Sequence, residues 1–209
     1  MEPESEERVK KAFVKLRALL KVRRFYTTSE LMQLYKTHVL SVLEFPTPAV
    51  YHATDTALEN LDKVQRHFLR ELALTAEEAL KDYHLAPLCT RRDTALLGLV
   101  HRTVLDEGPP HLKKWFFPRV RARHQYATRL QAHLHDKQLH DWLDGEHTEL
   151  LRRSPLGFAR VYNQLPQRVV DASCVNDFQG EFQELVKAAA DRGENNWEQW
   201  LSPRRSRSN

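Results

Sequence analysis

The sequence predicts an all-α fold, an irregular multi-helix bundle with a smaller C-terminal helical unit. Three observations predict it. Leu, Ala, Glu, Lys, Arg and Gln abound while six glycines stand against ten prolines, the composition of helices joined at proline corners. Apolar residues recur at three- and four-residue intervals in successive segments. Capping and stop signals bracket those segments. With 209 residues, 41% hydrophobic and 29% charged, the chain is long and apolar enough to bury a continuous core.

The first predicted helix runs over Arg8 to Arg24. Val9, Phe13, Leu16 and Leu20 fall at helical spacing, and Arg8, Lys10, Lys11, Lys15, Arg17, Lys21, Arg23 and Arg24 run with no acid among them, so its solvent face is strongly positive. Thr27 with Glu30 three residues on is a capping box opening a second helix to about Phe45, where Pro46 and Pro48 stop it. Its apolar residues cover most of the circumference, as expected of a central helix touched from more than one side. A third helix begins near Asp55 and buries Leu58, Leu61, Val64, Phe68 and Leu72. This leaves Lys63, Arg66 and Arg70 at i, i+3 and i+7 on the outer face.

Thr75 and Glu78 repeat the capping box for a short helix to Tyr83, and Pro87 turns the chain. Arg91 to Asp106 follows, with Leu96, Leu97, Val100 and Val104 inward, closed by Gly108-Pro109-Pro110. Between Gly108 and His135 there is no Asp or Glu, while Lys113, Lys114, Arg119, Arg121, Arg123 and Arg129 interleave with Trp115, Phe116, Phe117 and Tyr126. This stretch reads as a short helix and a less regular connector, the expected domain boundary. Ser154-Pro155 caps a helix to about Gln164, and Pro166 breaks it before an extended stretch near Val169. A last helix from Val175 buries Phe178, Phe182, Leu185, Val186 and Ala189, ends at Gly193, and is followed by a final turn carrying Trp197 and Trp200. The predicted organisation is a helical bundle over 1–110, a connector over 111–153, a C-terminal unit over 154–201 and a disordered tail over 202–209 with Arg204, Arg205 and Arg207. No fixed-period repeat is present.

Several function classes are disfavoured. No apolar run approaches the ~18 residues of a membrane span, and the acidic N-terminus is not a secretion signal. Cys89 and Cys174 are the only cysteines and lie far apart, which fits a reducing, intracellular compartment, nucleus or cytoplasm, and neither a disulfide framework nor a cysteine zinc site. His133, His135 and His140 with Asp136 and Asp141 match no metal spacing; on a helix the first two point about 200° apart. Cys89 has no activating loop or evident histidine partner, and neither a glycine-rich phosphate loop nor a G-x-S-x-G elbow is present. No cofactor is expected.

Motifs in order along the chain carry a family resemblance. Leu31 to Leu40 with Leu43-Glu44-Phe45 is similar to an "L-x-x-L-Y-K-x-x-V, then L-E-Y" helix, and Leu61 to Arg70 to an "L-x-x-V-Q-R-x-x-L-R" helix. Leu85-Ala86-Pro87-Leu88, Arg91-Arg92-Asp93 and Leu96 to His101 match an "L-P-L, R-R-x, L-x-x-L-H" stretch. Val161 to Val170 with Phe178 resembles a "W-N-x-L-P-x-x-V, then F" ending in which Tyr162 replaces the usual Trp. Together they resemble the thumb and C-terminal region of non-LTR, LINE-like retrotransposon reverse transcriptases, from about Phe13 to Trp200. That family polymerises through an aromatic-x-Asp-Asp loop and a further palm aspartate, and no Asp-Asp pair occurs here. The resemblance therefore implies a catalytically incomplete fragment, not an enzyme by itself, whose partners are RNA or an RNA-DNA duplex and a separate palm domain, with no membrane.

A thumb grips duplex through cations spaced along helices. Lys63, Arg66 and Arg70 span about 10 Å at 1.5 Å per residue, enough for two adjacent phosphates. Arg23, Arg24, Lys36, Arg91 and Arg92 are further candidates because they flank helix ends. The competing reading is that all these charges merely solvate helix faces. For Trp115 to Tyr126 two readings stand together, stacking of unpaired bases or anchoring of the connector to the core. A helical protein-interaction module without a nucleic-acid role is the alternative function.

Overall fold

The computed structural model describes residues 2–45, 51–118, 135–144, 148–199 and 201–204. Pro46, Pro48, Trp200, Arg205 and Arg207, on which expectations were placed, lie outside them. The fold is all-α; among the described residues the sole β feature is an isolated antiparallel bridge between Pro118 and Leu139. No helix among them is long and apolar enough to cross a membrane. The chain forms two compact units, Met1–Arg92 and Asp93–Asn209.

In the first unit α1 (Glu2–Lys21) leads through a 3₁₀ turn (Arg23–Phe25) into α2 (Thr28–Tyr35). The capping box expected at Thr27 is present: its hydroxyl accepts from the Glu30 amide at 3.3 Å, and Glu30 accepts from the Thr27 amide at 2.8 Å. The helix continues as a π turn (Lys36–Leu40) and α3 (Ser41–Glu44). The π turn inserts one residue, a rotation of about 100°, into the register. Val39, Leu40 and Leu43 are thereby brought onto the same core as Leu31, Met32 and Tyr35, which explains part of the broad apolar circumference seen in the sequence. Gln33, Thr37 and Ser41 keep the exposed strip, each hydroxyl donating to the carbonyl four residues back.

Helix α4 (Asp55–Glu71) is capped by the Thr54 hydroxyl and buries Leu58, Leu61, Val64 and Phe68; Phe68 stacks on Tyr35 at 4.1 Å. It ends in a Schellman motif, Leu74 N–H donating to Leu69 O and Ala73 N–H to Arg70 O, which forces Ala73 to φ 54°. The second capping box, Thr75 with Glu78, opens α5 (Ala76–Tyr83). Helix α6 (Leu88–Val104) starts directly after Pro87, three residues earlier than expected.

The division between units falls inside α6, at Arg92–Asp93, and not at the Gly108-Pro109-Pro110 stop. The reason is packing: from Asp93 onward the buried side of α6 serves the second unit, where His101 stacks on Phe178 at 4.2 Å and Gly98 admits the side chain of Gln179. Gly108 still makes its corner, since a Cβ there would meet Thr103 Oγ1 at 2.5 Å and Cα at 2.7 Å. Beyond it come α7 (Pro110–Lys113), a 3₁₀ turn (Trp142–Asp144) and α8 (Thr148–Arg152). The helix expected after Ser154 opens as a 3₁₀ turn (Pro155–Gly157), capped by the Ser154 hydroxyl, and becomes α9 (Phe158–Tyr162). The extended stretch expected near Val169 is instead a helical turn, α10 (Gln167–Val170), because both valines are buried and Pro166 serves as its N-cap. Helix α11 (Val175–Asp191) has the expected stripe, with Phe178, Phe182, Val186 and Ala189 buried, and Gly193 at φ 64° closes a Schellman motif. Trp197 begins a final 3₁₀ turn (Trp197–Gln199).

Tyr162 is fully buried. Ala172 O can only accept, so His101 Nε2 donates to it at 3.0 Å, and Nδ1 accepts from the Tyr162 hydroxyl at 3.0 Å. The extra oxygen of a tyrosine thus meets a histidine rather than an apolar wall.

Candidate nucleic-acid interface

Helix α4 turns its apolar side inward because Leu58, Leu61, Val64 and Phe68 follow the helical period, and Lys63, Arg66 and Arg70 consequently project outward and are exposed. Their local partners are weak holders. Lys63 Nζ donates to Asn60 at 2.9 Å, Arg66 lies 3.3 Å from the exposed carboxylate of Glu59, and Arg70 donates to His67 Nδ1 at 2.8 Å. An exposed ion pair of this kind contributes about 0–1 kcal/mol, so a phosphate can displace it.

Helix α1 lies beside α4 and runs parallel to it. Residues from Ser5 to Phe13 share a groove of about 440 Å³ with Thr54 to Lys63, Phe13 meets His67 at 5.9 Å, and Arg23 reaches Glu71 at 2.8 Å. Lys10 and Lys63 face each other across that groove, with Val9 and Phe13 in its wall and one acid, Glu6, on its rim. Arg17 and Lys21 follow Lys10 at i+7 and i+11, on the same flank of α1. All three are exposed; Arg17 and Lys21 form no ion pair among the described residues, and Lys10 lies close enough to Glu7 to help hold its pKa down. Lys10 and Lys63 thus meet at the groove, with Arg17 and Lys21 farther along α1 and Arg66 and Arg70 farther along the exposed side of α4.

The helix-end candidates divide. Arg24 is exposed, its guanidinium 4.7 Å from the Phe25 ring. Arg23 is exposed but bound to the Glu71 carboxylate and, at 3.3 Å, to its carbonyl. Lys36, Arg91 and Arg92 correct the sequence expectation, because each is spent inside the first unit. Lys36 is half-buried and donates to Tyr83 O at 2.5 Å; desolvation, aided by nearby Arg91, holds its pKa below the ordinary lysine value. Arg91 makes a two-pronged contact with Glu44. Arg92, 5% exposed, clamps Asp62 through both terminal nitrogens at 2.7 and 2.9 Å. Partners from distant helices, a backbone carbonyl for Lys36 and carboxylates for Arg91 and Arg92, are invisible in a linear sequence and decided their fate.

Sequence reasoning registered the positive face of α1 without assigning Lys10, Arg17 and Lys21 to the interface. Their seven- and four-residue spacing was the available signal; what was missing was that α1 lies against α4.

In the second unit Phe116 is buried and anchors its segment, whereas Trp115 stays 39% exposed and Phe117 half-exposed. Tyr126, Arg119, Arg121, Arg123 and Arg129 lie outside the described residues. His135 is buried and donates through Nε2 to Tyr162 O at 2.9 Å, His140 stacks on Phe117 at 5.0 Å, and His133 is outside the described residues. Asp141 accepts from Arg160 at 2.7 Å. Among the described residues no three His, Cys, Asp or Glu side chains gather to hold a metal ion. Cys89 and Cys174 are thiols outside any disulfide, and Cys174 Sγ accepts from the Asp177 amide as the N-cap of α11.

Comparison of the chain with models of known families, with curated proteins and with solved structures finds no match.

Proposed function

We propose that this chain is a catalytically incomplete, thumb-like module of retrotransposon reverse-transcriptase type that grips an RNA-DNA duplex by its phosphates, while a palm domain supplies the metal-binding carboxylates. The observation that carries the reading is the pair of exposed basic rows on adjacent helices, Lys63, Arg66 and Arg70 on α4 and Lys10, Arg17 and Lys21 on α1, which meet at the groove lined by Lys10 and Lys63. Cations on two parallel rods suit a polyanion whose charges are also laid along a line, and each phosphate neutralised releases condensed counterions. No reactive side chain is required, in keeping with a sequence that has no Asp-Asp pair. The test is affinity for an RNA-DNA hybrid as a function of salt. Binding that weakens steeply with salt is expected. A slope of log affinity on log salt indistinguishable from zero, or no binding at low salt, removes the proposal.

A second reading has its own observation. Phe25, 68% exposed, and Tyr26, 44% exposed, stand at the corner between α1 and α2 with Val22, an apolar group suited to a protein partner such as a palm domain. Solution size and binding of a hydrophobic dye test it. A clean monomer that binds no dye argues against an interface there.

A further inference from the structure

The second unit carries a cluster of rings that the two basic rows do not use. Trp142 stands edge-on to Phe117 at 5.9 Å and 86° and to His140 at 4.8 Å and 90°, while Phe117 and His140 stack on each other at 13°. Trp115 meets Trp142 at 5.6 Å and 61°. The arrangement is fastened from behind. Trp142 Nε1 donates to Trp115 O at 2.8 Å and His140 N–H to Phe117 O at 3.0 Å. The Asn163 amide clamps Leu139 on both sides, accepting from its N–H at 2.7 Å and donating to its carbonyl at 2.8 Å. Asp141 is fixed by Arg160 at 2.7 Å and caps the Leu143 amide at 2.9 Å. A surface ring that is already immobilised loses little freedom when a ligand stacks on it.

The charge around the cluster selects the ligand. The Lys114 ammonium lies 5.2 Å from the Trp115 centroid, a position that in an aromatic cage a cationic guest would take. Lys113 is beside it, paired with the exposed Asp106 at 3.0 Å, and the carboxylate of Asp141 is committed to Arg160. A planar group bearing an anion therefore fits, and a methylated or free ammonium does not. We infer that Trp115, backed by Trp142, is a stacking platform for an unpaired nucleotide of single-stranded RNA or DNA, the exposed Lys114 ammonium swinging from its place over the ring to the nucleotide's phosphate, a second nucleic-acid site distinct from the two basic rows.

Tryptophan fluorescence of the full chain, titrated with an oligouridylate, tests this. Quenching with saturable binding is expected. Trp115→Ala should weaken the affinity by about fivefold to a hundredfold, the range for losing one stacked base, and Trp115→Phe should keep most of it. Lys114→Gln, a change at an exposed position, should weaken it and lower its salt dependence by about one phosphate. An abasic oligonucleotide of the same length should bind far more weakly than the oligouridylate, and Trp115→Ala should leave affinity for an RNA-DNA hybrid unchanged. The inference is overturned if oligouridylate does not bind, if Trp115→Ala binds it as wild type does, or if the abasic strand binds equally well. Failure of the duplex proposal shows instead in the hybrid's salt slope, which Trp115 does not control, so the two results separate.

Discussion

Replacing Lys63, Arg66 and Arg70 together by glutamine isolates the α4 row. On B-form duplex each neutralised phosphate adds about 0.9 to the slope of log affinity on log salt, so three phosphates set an upper bound near 2.7. Arg66 starts from a contact with Glu59 at 3.3 Å and must give that up on binding, so it contributes less than the other two. The expected flattening is therefore about 2 to 2.7, the lower figure applying if Arg66 adds little. Over a fourfold salt range a difference of about 2 in slope is a factor of roughly 16 in relative affinity, well within reach of fluorescence anisotropy with a labelled RNA-DNA hybrid. Because all three side chains are exposed, the variant should keep the wild-type far-ultraviolet circular dichroism and melt within a few degrees of it. Parallel slopes for the folded variant and wild type would refute the assignment of these residues to the interface.

Three further outcomes follow from the packing. Ala73 holds φ 54° at the end of α4, a conformation costing about 1 kcal/mol for a residue with a Cβ, so Ala73→Gly should leave stability unchanged or raise it by up to that amount in urea denaturation. Arg92→Ala strips the nearly buried clamp from Asp62 and should cost about 3 kcal/mol in the same assay, whereas a fall in hybrid affinity with unchanged stability would contradict its burial. Burial holds the pKa of His101 below its ordinary 6.5, a shift partly offset by its hydrogen bond to Ala172 O. The unfolded chain then takes up the proton first, so this contribution to stability is complete above about pH 6.5 and is lost as pH falls toward the lowered folded value. Melting temperature measured across that window should decline less in His101→Phe than in wild type; an equal decline in both would show that other groups govern it.

What the sequence made legible was local. The two capping boxes, Thr27 with Glu30 and Thr75 with Glu78, and the stop at Gly193 appear where the spacing placed them, because each depends on residues within one turn. The outward row on α4 was equally readable, being the complement of a clean apolar stripe. Partner choice was not. Arg92 and Arg66 look alike in sequence, and only the approach of α6 to Asp62 buries the first and leaves the second outside. The same holds for Trp142, 27 residues from Trp115, whose role emerges only once the two segments lie side by side. Local signals likewise placed the stop at Gly108, but the division at Arg92–Asp93 rests on which side chains α6 shares with α9 and α11.

The parallel course of α1 and α4 gives the two basic rows a gradient. Two peptide dipoles pointing the same way leave their partial negative charges at a shared end, where Lys21, Arg23, Arg24 and Arg70 are found. Arg23 already donates to one helix carbonyl, that of Glu71. Lys10 and Lys63 lie away from that end. In the proposed binding mode, a strand reaching that end would share its cations with the negative ends of both helices, most directly at Arg23.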